Sequence, residues 1–196
     1  MAQQPVIEGG IGTGSWSTEE GARLSERKPI QVRQPLLSEI LIKAHKAKVA
    51  ADKIRILKEE NCRALQQICQ WAYNPTITSD LPEGTPPYVE NDAPEGTEHM
   101  ILRTEGDKLW HFVKTQINYG EVTKEEDKKY KQANPKLQAT QRERMFIRLL
   151  EGLHKDEAEL LINVKDKKLH RIYKGVSSEV VKKAFDWDDN FRRKDV

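Results

Sequence analysis

The sequence predicts a mainly α-helical protein: a small bundle of stacked antiparallel helices with a central β-hairpin and an extended N-terminal arm. Three observations carry that fold class. Between Thr140 and Phe185 the apolar residues Met145, Phe146, Leu149, Leu150 and Leu153 recur at i, i+1, i+4, i+5 and i+8, which is one face of a helix and cannot be one face of a strand. The same spacing recurs in Leu36, Leu37, Ile40, Leu41 and Ala44. The first 35 residues instead hold Gly9, Gly10, Gly12, Gly14 and Gly21 with Pro5, Pro29 and Pro35 and no apolar period, so they cannot build a core of their own.

In chain order, residues 1–35 read as the arm. Unlike most disorder-prone segments, it scatters large apolar residues along its length, which points to an arm that orders by lying on another surface, with Ile7, Ile11 and Trp16 as its anchors. The domain proper spans residues 36–186. Pro35 fits the first position of a helix ending near Lys48, a second helical run covers residues 50–60 around Ile54 and Leu57, and Asn61 is a candidate N-cap for a third. That third helix carries Leu65, Ile68, Cys69 and Ala72 and stops before Asn74-Pro75. The Ala- and Lys-rich stretch 43–58 would also sustain one long helix.

At Pro75 the composition changes. Residues 74–106 hold seven acidic side chains against one basic, together with Pro75, Pro82, Pro86, Pro87 and Pro94. A proline-stiffened loop over residues 74–99 is therefore expected to be an ordered interaction surface, anchored by Tyr88 and flanked by Asp92 and Glu95. Met100, Ile101 and Leu102, then Leu109 to Val113, read as two short strands across Glu105-Gly106-Asp107, a hairpin over residues 100–114 that packs on the helices. Residues 119–139 have five lysines and four acids with little apolar periodicity, which reads as a solvated linker or exposed helix.

The C-terminal helices follow. Gly152 to Lys155 is a break short enough to set the Met145–Leu153 face against a second face of Ala158, Leu161, Ile162 and Lys165. Gly175 closes a turn, and Ser177 or Ser178 caps a last helix bearing Val180, Val181, Ala184 and Phe185. The tail, residues 187–196, is expected to fray, although Trp187 and Phe191 stand at i, i+4 and could dock on a neighbour.

Composition bounds the function. Apolar residues make up 37% and charged residues 33% of 196, which suits a modest core carrying long solvated segments. With 33 Lys and Arg against 31 Asp and Glu, the net charge of +2 is too balanced to imply a nucleic-acid binder by itself. Cys62 and Cys69 lie about 10 Å apart along a helix, too far for a disulfide, so a reducing, intracellular origin is expected. The first residues lack the basic and apolar regions of a cleaved signal, and no stretch has the length of a membrane span, so a soluble protein with no membrane partner is expected.

No catalytic, cofactor or metal constellation emerges. The five histidines are dispersed over separate elements, and a Glu at the start of a helix, as in His154-x-x-Glu157, follows from the helix dipole alone. GGIGTG lacks the Lys and Ser or Thr of a phosphate loop, GxSxG is absent, and Cys69 sits on an apolar face as a core residue. Segments 36–73 and 137–174 are each net +3, which solvent faces of amphipathic helices explain, or which a phosphate-tracking patch would require if the charges converged.

The strings LPEGTPPYVENDAPEGTEH (81–99), KLWHFVK (108–114) and RERMFIRLLEGLHKDEAELLINVKDKKLHRIYKGVSSEVVKKAF (142–185) resemble an uncharacterised protein family of contractile-tailed phages of marine and related bacteria. The likeness covers roughly residues 36–185, while the arm and the lysine-rich segment 119–139 are additions to the family pattern. The resemblance implies phage origin and a non-enzymatic role, and carries over no catalytic residue, cofactor or metal. The expected function is thus a virion-associated structural protein, made in the host bacterial cytoplasm, that docks on other virion proteins or on copies of itself through its arm and acidic loop. The competing expectation is an intracellular phage accessory factor that binds nucleic acid or host transcription machinery through its basic helices.

Overall fold

Residues 34–92 and 99–194 are described by a computed structural model of the chain. The arm anchors Ile7, Ile11 and Trp16, and Glu95 of the acidic loop, lie outside the described residues. Pro35–Val196 is one structural unit, distinct from Met1–Gln34.

Within that unit the expected helical pattern is present. Helix α1 (Leu37–Lys46) buries Leu37, Ile40, Leu41 and Ala44 and starts two residues beyond Pro35, with the Glu39 carboxylate accepting from the Leu36 N–H at 2.8 Å. Helix α2 (Ala50–Glu59) is separate from it. The break is stabilised by Lys53, whose Nζ donates to the carbonyls of Ala44 and His45 at 2.9 and 3.0 Å and so satisfies the end of α1. Helix α3 (Arg63–Tyr73) is entered through Cys62 rather than Asn61, whose side chain instead accepts from Gln66 Nε2.

The middle of the chain departs from expectation. Residues 100–114 are not a hairpin: Leu102–Glu105 forms a single helical turn, α4, continued by a 3-10 helix over Gly106–Phe112. Leu109 and Phe112 are both buried three positions apart, the repeat of a 3-10 turn, while Trp110 between them faces outward. Gly106 makes this path possible. It lies so close to α3 that a Cβ there would sit 2.6 Å from the Cβ of Ala64. The strand of this region falls later, at Val113–Gln116 (β2), the centre of a three-stranded antiparallel sheet ordered β1-β2-β3. Strand β1 (Ile77–Ser79) pairs Thr78 with Lys114, and β3 (Tyr130–Gln132) pairs Lys131 with Thr115. Residues 119–139, exposed for the most part, thus contribute an edge strand as well as a 3-10 turn at Glu125–Asp127.

Helices α5 (Ala139–Gly152) and α6 (Lys155–Lys165) are joined by Leu153 and His154 alone and pack on each other, with Leu150, Leu153 and Leu161 fully buried. A short turn, α7 (Leu169–Ile172), leads through Gly175, whose φ of +84° suits glycine, to α8 (Ser178–Phe185), capped by Ser177 Oγ accepting from Val180 N–H. The core is one cluster in which α3 and α6 are central. Trp71, Phe112 and Phe146 form an aromatic row through it, Phe112 meeting Phe146 edge to face at 5.2 Å. The tail does not fray over its described part. Trp187 and Phe191 are buried beside Phe185, a bridge joins Trp187 to Arg193, and Gln70 Nε2 donates to the Phe191 carbonyl at 3.1 Å.

Candidate docking surface

Four charged side chains hold the irregular middle of the chain onto the helices, and three of them are almost fully buried. Arg142 on α5, 2% exposed, pairs with Asp80 at 2.8 Å, donates through Nε to the His111 carbonyl at 3.1 Å and through Nη2 to the Leu137 carbonyl at 2.9 Å. It therefore ties the end of β1, the 3-10 helix and the chain after β3 to one helix. Glu157 on α6, 1% exposed, accepts from the backbone N–H of Leu37 with one oxygen and of Leu102 with the other, both at 3.0 Å. These are the first residues of α1 and α4, so one carboxylate satisfies two helix N-termini, where negative charge is favoured.

Lys165 and Lys167 close the other end of α6. Lys165 Nζ donates to the Pro82 carbonyl at 2.7 Å and contacts Asp166, which is also paired with Lys168 at 3.0 Å and accepts from the Gly84 N–H at 3.2 Å. Burial alone would raise the Asp166 carboxyl, but the hydrogen bonds from Lys165 and Lys168 outweigh it and hold it below the usual carboxylate range. Lys167 adopts the left-handed conformation, φ +58°, at the position where α6 ends in a Schellman motif, with Lys168 N–H on the Asn163 carbonyl and Lys167 N–H on that of Val164. Its Nζ reaches the carbonyls of Trp71 and Asn74 at 2.5 and 2.8 Å, the end of α3, and burial pushes its pKa down to about 8.

These contacts give residues 80–92 a fixed course without regular secondary structure. Asp80 is held by Arg142, Pro82 by Lys165, Gly84 by Asp166, and the Val89 N–H faces Glu151 Oε1 at 3.4 Å. Between this segment and α5 lies a cavity of about 270 Å³ walled by Leu81, Pro82, Pro86, Pro87, Phe146 and Ile147. Tyr88, expected to reach for a partner, is half-buried against the domain's own core, and desolvation together with Glu90 and Glu159 raises its pKa. Its neighbour Val89 points outward and is 74% exposed, the most exposed large apolar residue among those described. Asp92 is exposed.

Part of the basic clusters is not free charge. Lys53, Arg142, Lys165 and Lys167 are spent on backbone carbonyls inside the fold, and Lys43 and Lys58 pair with Glu60 and Asp186. Among the described residues no group of three or more His, Cys, Asp or Glu could hold a metal ion, and no helix is long and apolar enough to cross a membrane. Cys69 is a buried, free thiol whose pKa is pushed up to about 12, chiefly by desolvation.

The sequence profile of a family of unknown function, DUF6433, matches residues 40–171. No curated protein and no solved structure matches the chain.

Proposed function

Since the chain belongs to DUF6433, a family of unknown function whose profile spans most of it, we propose that it is a non-enzymatic interaction protein that docks on other proteins through residues 80–92 and its N-terminal arm. The observation that carries the reading is the tethering of an acidic, proline-rich segment by Arg142, Lys165, Asp166 and Glu151, with Val89 turned outward. A segment already ordered loses less entropy on docking than a mobile loop. Ordering the backbone of an arm costs about 1–2 kcal/mol per residue, and residues 1–35 hold too few apolar groups to offset that alone, so an external surface must contribute the rest. On the resemblance of residues 81–99, 108–114 and 142–185 to a family of contractile-tailed phages, we place this docking in the virion, with other virion proteins or copies of this chain as partners.

The test is mass spectrometry of purified particles, joined to co-sedimentation of the full chain, a chain lacking residues 1–34 and a Val89→Asp variant with virions during infection. The full chain should sediment with particles and both variants should be depleted. Equal incorporation of all three would remove the docking argument, and absence of the full chain from particles would remove the virion. The accessory-factor alternative ranks below this one because Lys53, Arg142, Lys165 and Lys167 of its basic segments serve internal carbonyls. Retention on DNA that weakens steeply with salt would favour it.

A further inference from the structure

A second pocket, lined by no residue of the proline-rich segment, gathers acceptors that lack donors. It lies between α1, α6 and the end of α7 and has a volume of about 250 Å³. Ile42, Leu160 and Ile172 supply its aliphatic walls, Ile172 being 40% exposed. His45 fixes their spacing: its Nδ1 donates to the Lys174 carbonyl at 2.8 Å and so ties α1 to the chain after α7. Asp156, Glu159 and Asn163 line the pocket from α6 at i, i+3 and i+7, one stripe of that helix.

Two independent features mark this pocket as a site for a cation. The first is charge. Asp156 stands in the first turn of α6, where the helix dipole accounts for a carboxylate, but Glu159 stands beyond it, and like charges one turn apart disfavour a helix. Lys43, Lys46, Lys155, Arg171 and Lys174 stand on or beside the same elements, yet among the described residues none of them pairs with either carboxylate. Lys43 is engaged by Glu60 at 3.8 Å, and the ionic contact of Asp156 is with the buried His154 at 3.7 Å. The second feature is Tyr173. It is 6% exposed and lines the pocket, and its hydroxyl has no hydrogen-bond partner among the described residues, although the oxygen is not sealed from solvent. Desolvation first, then the Glu159 and Asp156 carboxylates, push its pKa up to about 12, which places the hydroxyl in the field of those two side chains and keeps it neutral. Asn163 donates its Nδ2 to the Glu159 carbonyl at 2.8 Å, so its oxygen is left as a further acceptor.

Acceptors and negative charge around aliphatic walls are complementary to a side chain with an apolar stem and a cationic head that only donates. Arginine meets this best, because its planar guanidinium presents several donors at once and is more weakly hydrated than an ammonium. A cavity of ~150 Å³ admits a benzene ring, so this one has room for the stem and the head together. We infer that the pocket binds an arginine side chain of another protein, its stem against Ile42, Leu160 and Ile172 and its guanidinium donating to Glu159, Asp156 and the Tyr173 hydroxyl oxygen. The inference rests on the reading of the chain as an interaction protein, and it can fail while docking through residues 80–92 stands, because the pocket and that segment share no residue and peptide binding is read separately from incorporation into particles.

The experiment follows the isoleucine methyl resonances of the full chain while acetyl-Gly-Arg-Gly-amide is added into the millimolar range, the affinity expected of a ligand with one buried side chain. The Arg peptide should shift Ile42 and Ile172 and leave Ile147, on the wall of the proline-rich cavity, in place. Its citrulline counterpart, of the same shape without the charge, should bind about tenfold more weakly. Glu159→Gln, at an exposed position where folding is not at stake, should weaken the Arg peptide about tenfold, and Tyr173→Phe, which keeps the packed ring, about threefold or more, both with the signal of the fully buried Ile68 unmoved. Five results would overturn the inference: no shift at Ile42 and Ile172, equal binding of the citrulline peptide, undiminished binding by either variant, shifts at Ile147 instead, or shifts that grow with protein concentration in the absence of peptide. The last would assign the pocket to a second copy of this chain.

Discussion

The helical blocks, residues 37–73 and 139–185, and the stretch 74–138 between them are held by different physics. In the blocks, burial follows a period: Leu37, Ile40, Leu41 and Ala44, or Phe146, Leu149, Leu150 and Leu153, face inward because a helix places them on one side. In the middle stretch the apolar anchors are few, Leu102, Leu109 and Phe112, and much of the backbone is fixed by side chains reaching out of α5 and α6. The first arrangement spreads its stability over many apolar side chains. The second concentrates its stability in a handful of charges, so single substitutions should release whole segments.

Arg142→Met tests that contrast most strongly. It leaves the largely buried Asp80 without its partner and strands the carbonyls of His111 and Leu137, so the expected loss is about 3–5 kcal/mol. Amide exchange should accelerate in β1, β2 and residues 80–92 far more than in α1–α3. Uniform acceleration would mean that the middle stretch is part of one cooperative core. Leu150→Ala and Leu161→Ala supply the counterpart, each removing a fully buried side chain at a cost of about 2–5 kcal/mol. Here protection should fall throughout the domain, and a melting temperature within about 2 °C of the parent would mean that the helical faces carry less of the fold than their burial implies.

The helical half of this contrast was legible in the sequence because a 3.6 period survives without knowledge of partners. The middle was not. Leu109-Trp110-His111-Phe112-Val113 is a short apolar run, and such a run has the same appearance as a strand or as a tight helical turn. What decides between them is Gly106 against Ala64, a contact across more than forty residues that no local pattern displays. The tail was readable only as a pair, Trp187 and Phe191, whose burial depends on a left-handed Asp186 turning the chain back. The structural charges carried a usable signal. Arg142 stands four residues before Phe146, and Glu157 stands four before Leu161, so both lie in phase with an apolar stripe where a solvated charge has no place. Lys165 already shared a face with Leu161 and Ile162. Assigning Arg142 and Lys167 to surface clusters followed from counting charges without that phase. The outward residue of the proline-rich segment, Val89 rather than Tyr88, had no signal at all, because an irregular backbone gives side chains no period.

The smallest effect expected is a pH dependence, and it belongs to the junction between the two helical blocks. Lys167 occupies a left-handed position that costs a non-glycine residue about 1 kcal/mol, and its ammonium is buried against the carbonyls that end α3. With its pKa lowered to about 8 from 10.5, both states are charged below pH 8, and the folded state carries the whole cost of burying the cation. Between pH 8 and 10.5 the unfolded chain binds more protons, so stability rises with pH, and above 10.5 both states are neutral. The full gain would be about 3 kcal/mol from the shift alone, and about 1–2 kcal/mol once hydrogen bonds from the ammonium to two helix-terminal carbonyls are set against it. Cys69, Tyr73 and Tyr173 act in the opposite sense. Desolvation raises all three, so the unfolded chain loses those protons first and stability falls as pH climbs past their ordinary values of 9.0 and 10.0. The lysine is therefore isolated by difference, as the stability of the wild-type chain minus that of Lys167→Met, measured in urea from pH 7 to pH 10. The difference should move toward the wild type across that range. A flat difference would mean that the α3 carbonyls offset the burial completely, and that this junction, unlike the Arg142 clamp, holds a charge at no net cost.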